Sequence, residues 1–180
     1  MKKLLISLII ILATNQFSFA FDGKRKGFVI GGGIGFSPVM MNDYDIKDDG
    51  SKAIASGQSH TLFLGYSGKS DLFAYGGSVS QGESQNLNDR LFRDIFTGLW
   101  WYHYFKINDK NFNSIVGLGA AYYTMQSKSD FDQSFGFQLG LGYEIVPHVQ
   151  LNLVFSEGKF SYGESYNYYH LTLQLHAIAY

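Results

Sequence analysis

The sequence has no cysteine, very little net charge and few long apolar runs, and each of these features excludes a class of structure or partner. Without cysteine among its 180 residues the chain cannot form disulfide bonds, so an exported form depends on its own hydrogen bonds and packing. The formal net charge of −1 gives no electrostatic reason to expect a nucleic-acid partner. Beyond the N-terminus, no run of about 18 consecutive apolar residues is present, which excludes a membrane-spanning helix there.

Aromatic residues and glycine are abundant in the sequence. Phe and Tyr number 16 and 13, Gly numbers 21, and only 2 prolines are present. Aromatic residues favour β-strands, and proline is confined to positions outside a regular β-ladder. The composition therefore favours an all-β protein, and the length suggests one domain.

The first twenty residues have the three parts of an export signal. Two lysines supply positive charge, residues 4–13 form an apolar core, and Ser18 and Ala20 are small residues suited to a cleavage site. The apolar core is too short to cross a bilayer of about 30 Å as a helix. We therefore predict that residues 1–20 are a signal peptide and that residues 21–180 form the mature domain. The alternative is a short N-terminal anchor.

Eight stretches of the remaining chain alternate apolar and polar residues. In residues 135–145, aromatic and aliphatic side chains occupy every second position, and glycine, glutamine and glutamate occupy the others. Residues two apart share a face of a strand, so one face is apolar and the other is small or polar. The same alternation predicts strands at about residues 27–37, 58–67, 71–81, 93–106, 113–125, 135–145, 148–157 and 168–180.

The gaps between these stretches alternate in length. Short gaps follow the second, fourth and sixth stretches, and longer polar segments, predicted to be loops, lie at about residues 38–57, 82–92, 126–133 and 158–167. Short turns on one side and longer loops on the other are typical of closed sheets that cross a bilayer. The pattern predicts an all-β fold, an eight-stranded antiparallel up-and-down transmembrane β-barrel. The alternative is a soluble exported barrel or sandwich, in which the apolar face would point inward.

The two faces of each strand predict two environments. In a barrel of eight strands the interior is just wide enough for side chains, so we expect the polar face to fill it. We predict a polar network in the lumen for Gln138, Glu144, Gln150, Asn152, Thr172, Gln174 and His176. We predict lipid contact for Phe135, Phe137, Leu139, Leu141, Tyr143, Val149, Leu151, Leu153, Phe155, Leu171, Leu173 and Leu175.

The fourth stretch is aromatic on both faces. Trp100 and Trp101 are adjacent and therefore point opposite ways, and His103 shares the face of Trp101. Because a histidine suits the lumen better than lipid, we expect the opposite face to point outward. That face holds Phe96, Gly98, Trp100, Tyr102 and Tyr104.

Glycine- and aromatic-rich segments open, cross and close the mature chain, at residues 27–36, 116–123, 135–143 and 171–180. In these segments the chain resembles the small outer-membrane barrels of the OmpA and OmpX type, and the resemblance extends over residues 21–180. It implies a monomer in the outer membrane of a Gram-negative bacterium. It also implies contact with outer-membrane lipid and lipopolysaccharide, with the barrel-assembly machinery and with an unknown extracellular ligand.

The last residue, Tyr180, fits the terminal aromatic residue that the assembly machinery reads in such families. It is out of phase with the apolar face that holds Leu171 and Leu175. A bulge near Ala177 would restore the phase; otherwise the terminal signal is atypical.

The filled interior and the resemblance predict a non-enzymatic protein that needs no metal or cofactor. Its extracellular loops are expected to serve adhesion, another interaction or envelope integrity. Two alternatives stay open. Some eight-stranded outer-membrane barrels are lipid A deacylases or acyltransferases, and such an activity would use His170, Thr172 and Glu144 here, since a nucleophile needs a base within hydrogen-bond reach. The other alternative is a narrow channel for small solutes.

Overall fold

The chain forms one closed antiparallel β-barrel. A computed structural model describes residues 26–45, 52–84, 90–107, 110–125, 132–162 and 164–179. Each strand pairs with the next and the last pairs with the first, so the predicted eight-stranded up-and-down barrel is confirmed. No helix in these ranges is long and apolar enough to span a membrane. The strands are β1 (Gly27–Asp45), β2 (Lys52–Ser67), β3 (Asp71–Ser84), β4 (Arg90–Ile107), β5 (Lys110–Met125), β6 (Asp132–Val146), β7 (Val149–Tyr162) and β8 (Glu164–Ala179).

The strands are longer than predicted, at 14 to 19 residues. Most of the segments predicted as loops at 38–57, 82–92 and 158–167 is strand, and only one residue separates β7 from β8. Residues 126–131 of the third predicted loop lie outside the described residues, and the rest of that loop begins β6. The loop predictions were wrong because the ladder consists of backbone hydrogen bonds. It continues wherever two strands stay side by side, whatever their side chains.

A bulge interrupts β1 at Pro38. Between Ser37 and Met40, β1 advances three residues while β2 advances two, and the pairing of β1 with β8 shifts at the same place. Proline has no N–H to donate, so a bulge accommodates it without the loss of a ladder bond. The extra residue leaves both Pro38 and Val39 exposed and returns Met40 to the interior.

The bulge considered near Ala177 is absent. β8 pairs with β7 without a register shift from Ala177 to Glu164, and with β1 without a shift from Ala179 to Leu173. The terminal Tyr180 lies outside the described residues, as do residues 1–20. The assembly signal and the signal peptide therefore stay predictions.

The tight connections after β2, β4 and β6 lie at the same end of the barrel as the start of β1 and the end of β8. In the first, the Gly68 N–H donates to the Asp71 carbonyl at 2.7 Å. In the third, His148 adopts a positive φ of 71°, its N–H donates to the Glu144 carboxylate at 3.3 Å, and its carbonyl accepts from the Ile178 N–H at 2.9 Å. Transmembrane barrels keep their short turns in the periplasm, so we call this the periplasmic end and the other the extracellular end.

The predicted facing of β4 was wrong. Phe96, Trp100, Tyr102 and Tyr104 are buried inside the barrel and Gly98 shares their face, whereas the intervening residues, among them Trp101, face outward. Both faces of this strand are apolar, so the two-residue alternation gave no sign of which face points inward. The histidine on the outer face, His103, lies near the periplasmic end, beside the polar side chain of Asp71 rather than in the apolar belt.

Glycines on the inner faces of two strands make room for rings in the lumen. Gly117 of β5 pairs directly with Trp100, and a Cβ added there would lie 2.6 Å from Cδ1 of Trp100. A Cβ added at Gly31 of β1 would overlap the ring of Phe63, its partner on β2. A larger residue at either position would exclude the partner's ring from its place in the lumen. Gly117 therefore accommodates the inward facing of Trp100.

Candidate functional site

The polar residues predicted for the lumen all face the barrel interior and are at least nine-tenths buried. They are Gln138, Glu144, Gln150, Asn152, Thr172, Gln174 and His176. Buried polar groups need hydrogen-bond partners, and these residues find them in several separate networks rather than in one.

Gln138 joins three strands in the middle of the lumen. Its side-chain oxygen accepts a hydrogen bond from the Trp100 indole N–H at 2.7 Å, and its amide nitrogen donates to the Ser78 hydroxyl at 3.3 Å. Because these residues lie on β6, β4 and β3, the bonds tie together walls that are not neighbours in the ladder. The inward facing of Trp100 thus supplies the partner of a predicted lumen residue.

A second network lies toward the periplasmic end. The Gln150 amide donates to the Tyr104 hydroxyl at 2.8 Å, and the Asn113 amide donates to the Gln150 oxygen at 3.1 Å and to the Asn152 oxygen at 3.5 Å. Asn113 and Tyr104 were not among the predicted lumen residues. Asn113 is a polar residue on the face of β5 that also holds Ile115 and Gly117. Its place on that face is the signal that could have identified it as a lumen residue.

A third network crosses the lumen between β8 and β2. The Gln174 amide donates to the Ser59 hydroxyl at 3.1 Å, which also accepts from the Ser80 hydroxyl at 3.1 Å. A ring nitrogen of His176 lies 2.8 Å from the Gln174 oxygen. This network holds β8 against β2 and β3 across the interior.

An apolar and aromatic cluster fills much of the remaining interior. Phe63, Trp100 and Tyr102 pack with ring centroids 5.7 to 6.3 Å apart. The wider cluster takes side chains from seven of the eight strands, namely Val29, Phe63, Leu72, Ala74, Phe96, Trp100, Tyr102, Tyr104, Ile115, Val154 and Ile178. The interior is therefore filled by packed rings as well as by hydrogen-bonded amides.

The outer face carries the residues predicted to contact lipid. These residues alternate with buried neighbours along β6, β7 and β8 and point away from the lumen: Phe135, Phe137, Leu139, Leu141, Tyr143, Val149, Leu151, Leu153, Phe155, Leu171, Leu173 and Leu175. A soluble barrel would bury such a face. These outward apolar side chains thus surround the barrel and are separate from the apolar cluster in its interior.

The three candidate catalytic residues do not come together. The Thr172 hydroxyl is hydrogen-bonded to the Ser37 hydroxyl at 2.8 Å, and the Glu144 carboxylate accepts from the Asn111 amide at 2.7 Å beside the third periplasmic turn. His170 lies instead near Asp94, toward the extracellular end. No nucleophile–base pair is formed among these three side chains.

Asp94 and His170 form a buried acid–imidazole pair that the sequence did not reveal. Nδ1 of His170 lies 3.2 Å from Oδ2 of Asp94, and both side chains are almost fully buried. The Tyr168 hydroxyl is also hydrogen-bonded to Asp94, and the rings of Tyr168 and Tyr123 stack at 5.0 Å. Asp94 could have been found only once the facing of β4 was known, since it shares the face of Trp100.

A small cavity adjoins this pair. It has a volume of about 10 Å³ and is lined by Asp94, Tyr123, Tyr168 and His170, together with residues of β1. Oδ1 of Asp94 has no hydrogen-bond partner among the described residues. A space of this size holds about one water molecule, so the cavity suits a single bound water and is far too small for a substrate.

No cluster of three or more His, Cys, Asp or Glu side chains is found within the described strands. The arrangement of the lumen is thus one of mutual hydrogen bonds and packing.

A family model described as outer membrane protein beta-barrel domain matches residues 4–177. No curated protein shows significant sequence similarity to the chain.

Three similar solved structures are small outer-membrane proteins. Neisserial surface protein A is 14% identical, with a TM-score of 0.51 over 85% of this chain and 96% of that chain. Ail, the attachment invasion locus protein of Yersinia pestis, is 14% identical, with a TM-score of 0.49 over 84% of this chain and 99% of that one. OprG from Pseudomonas aeruginosa is 14% identical, with a TM-score of 0.41 over 87% of this chain and 98% of that one. At such identity these similarities concern the fold alone.

Proposed function

This chain belongs to the outer membrane protein β-barrel domain family, and from that premise we propose that it is a non-enzymatic surface protein. It is inserted in the outer membrane of a Gram-negative bacterium and binds an extracellular ligand through the part of the barrel that stands above the membrane. The outward apolar residues of β6, β7 and β8 contact acyl chains. The observation that carries the proposal is the length of the strands, which exceeds what a bilayer requires.

Strands of 14 to 19 residues rise about 35–48 Å at about 3.3 Å per residue and a tilt of about 40°. The apolar band of an outer-membrane barrel is only about 25 Å tall. Because the periplasmic turns are short, the surplus lies at the extracellular end. The paired strand ends above the apolar band form a rigid surface, which we call the platform. Because the barrel already orders these residues, a ligand can bind to them without a further cost of ordering.

The outer face of this platform carries an exposed apolar side chain on β2. The nine residues from Phe28 to Phe36 are within the about 9–11 that a tilted strand needs to cross the apolar band, and the bulge at Pro38 follows them. Val39 pairs with Leu171 at the upper edge of the lipid-contacting residues. Ile54 pairs with Met41, which lies above Val39, and is 46% exposed. An exposed apolar side chain above the lipid is suited to contact another protein.

Adhesion by this platform can be tested on whole bacteria. Cells that express the wild-type protein are expected to bind epithelial monolayers or immobilised collagen more than cells without it. The substitution Ile54→Ser is expected to lower binding toward the level of cells without the protein, because it removes the apolar contact. Ser56→Asn on the same hairpin is the matched control and is expected to bind like the wild type.

Barrel integrity is checked in each variant by its shifted migration on gels when the sample is not boiled. Wild-type cells that bind no better than cells without the protein would overturn the adhesive role. If, in addition, loss of the protein made cells permeable to bulky dyes, the envelope role would replace it.

The two alternatives receive less support from the geometry. A channel would need a path through the packed layer of Phe63, Trp100 and Tyr102, whose rings are buried in the lumen. A lipid A enzyme would need a nucleophile beside a base, and the Thr172 hydroxyl is bonded to Ser37 instead.

A further inference from the structure

The outer wall of β1 to β5 carries an apolar groove near the periplasmic end. Its volume is about 640 Å³, within the range of about 300–1,000 Å³ that is usual for ligand sites. Two rows of outward side chains on neighbouring strands flank it. The row toward the periplasm is Phe28, Tyr66, Phe73, Trp101 and Val116, and the row above it is Leu64, Tyr75, Leu99 and Leu118.

The groove is preformed because its aromatic wall is fixed by polar contacts. The Trp101 indole N–H donates to Asp71 Oδ1 at 2.9 Å, and the Trp101 and Phe73 rings stack with centroids 6.3 Å apart. Asp71 also contacts His103 Nδ1 at 2.9 Å and accepts from the Ser70 hydroxyl at 2.8 Å. A ligand would therefore meet a rigid wall and lose little freedom to reorganisation.

Two exposed lysines lie at the periplasmic rim below this groove. Lys26 precedes the pair Gly27 and Ser67, which joins the start of β1 to the end of β2. Lys69 lies in the turn that follows β2. Lys106 is also exposed, but it shares the lumen-facing side of β4 with Tyr104 and is therefore not on the outer wall.

The charge of the rim is therefore positive on this side. The nearby acidic side chain, Asp71, is already engaged with His103, Trp101 and Ser70. On the opposite side, the segments 143–151 and 173–179 contain no lysine or arginine. An apolar groove with cations at its periplasmic mouth matches a molecule that has an acyl chain and an anionic head.

We propose that this groove and the lysines below it form a binding site for an anionic glycerophospholipid of the periplasmic leaflet. One acyl chain occupies the groove between the two rows, and the phosphate lies at the level of the two lysines. Long lysine side chains reach toward such a level while their stems stay on apolar surface. Because the groove and the lysines are on the β1 to β5 wall alone, the opposite wall has only ordinary, non-selective lipid contact.

The site is tested by native mass spectrometry of the detergent-solubilised wild-type protein with equal amounts of phosphatidylglycerol and phosphatidylcholine of the same chain length. Preference for phosphatidylglycerol is expected to be about fivefold or more, since a lysine near an anionic lipid surface contributes an effect of that order. The double substitution Lys26→Gln and Lys69→Gln is expected to bring the ratio close to one. Lys159→Gln, at the extracellular end, is the matched control and is expected to keep the wild-type ratio.

The groove itself is tested by a matched pair of added tryptophans. Val116→Trp places a large side chain in the groove and is expected to lower retention of both lipids, whereas Leu153→Trp on the outer face of β7 is expected to leave it unchanged. Glycerol 3-phosphate, which has the head chemistry without the chain, is expected not to displace the lipid. Displacement by it would overturn the part of the proposal that concerns the groove, and a wild-type ratio near one would overturn the part that concerns the lysines.

A second readout does not depend on survival of the complex in the gas phase. Trp100→Phe leaves Trp101 as the single tryptophan, and Trp101 lines the groove. In vesicles, brominated phosphatidylglycerol is expected to quench it at lower mole fraction than brominated phosphatidylcholine. Equal quenching curves for the two lipids would contradict a selective site.

Discussion

The two halves of the lumen are filled in different ways. In the periplasmic half, Phe63 lies among the rings of Trp100, Tyr102 and His176, with centroids 5.7 to 6.3 Å apart. In the extracellular half, Asp94 and His170 face each other beside a cavity of about 10 Å³. The periplasmic half is held by packed rings beside the amide network of Gln150 and Asn113, whereas the extracellular half contains a polar pair beside the stacked rings of Tyr123 and Tyr168, with room for water.

This difference indicates where the barrel is most stable. Packed rings gain from dispersion and from removal of apolar surface from water, and neither depends strongly on direction. A buried ionisable pair gains little net free energy, because loss of hydration offsets most of the attraction. We infer that the periplasmic half supplies most of the stability and that the polar pair fixes side-chain positions below the extracellular platform.

The largest expected effect comes from opening the packed half. Phe63→Ala should lower the free energy of unfolding by roughly 3–5 kcal/mol, because it leaves a cavity among rings that cannot collapse into it. Phe63 is only 1% exposed. The measurement is equilibrium unfolding by urea of the barrel in detergent micelles or lipid vesicles.

The control for this substitution is Phe135→Ala on the outer face, where the side chain is 68% exposed. Its cost should be much smaller, because acyl chains or detergent fill the space that the ring leaves. Equal costs for the two substitutions would contradict the assignment of stability to the packed lumen.

A smaller effect is expected from breaking the polar half. Asp94→Ala should destabilise the barrel by roughly 2–3 kcal/mol, because it leaves the buried Tyr168 hydroxyl without the carboxyl group to which it is hydrogen-bonded. The double substitution Asp94→Leu and His170→Leu should cost less than the sum of the single ones, since the imidazole that faces Asp94 is removed together with it. A double-mutant cycle in urea measures the difference, and a double variant as unstable as the sum of the single ones would show that the two residues act independently.

The smallest effect is expected where the two halves meet. Gln138→Leu should lower the free energy of unfolding by about 1–3 kcal/mol, because the buried Trp100 indole N–H then loses its hydrogen-bond acceptor. Gln138 accepts that hydrogen bond at 2.7 Å. Adding Trp100→Phe should recover part of this loss of stability. The measurement is urea unfolding of the single and double variants. A further loss in the double variant would mean that the indole is held by packing alone.

The strands of the C-terminal wall show how much could be predicted from residues alone. Along β6, Gln138 points inward and Leu139 outward, as the two-residue period of a strand requires. On β4 the same period gave no answer, because Trp100 and Trp101 are equally apolar, and our choice was wrong. The space for the Trp100 ring is left by Gly117, its partner on β5, which has no side chain.

The acid–imidazole pair and the strand ends could not be predicted from the sequence, for a related reason. Asp94 and His170 are 76 residues apart in the numbering, on strands that face each other across the lumen. Only the register of the closed sheet brings them together. The length of β7 and β8 likewise depends on backbone pairing above the apolar band, where polar side chains show no period that would reveal it.

The sequence by itself determined the strand number, the antiparallel order and the alternation of apolar and polar faces, because these depend on spacing along one strand and on the length of the gaps. The tertiary structure alone decided which face of β4 points inward, where the bulge at Pro38 re-aims β1, and how Asp94 meets His170. It also brought the rows of the groove above the two lysines Lys26 and Lys69. Contacts across a lumen or along a wall join residues that are distant in the chain, and closure of the sheet sets which of them can meet.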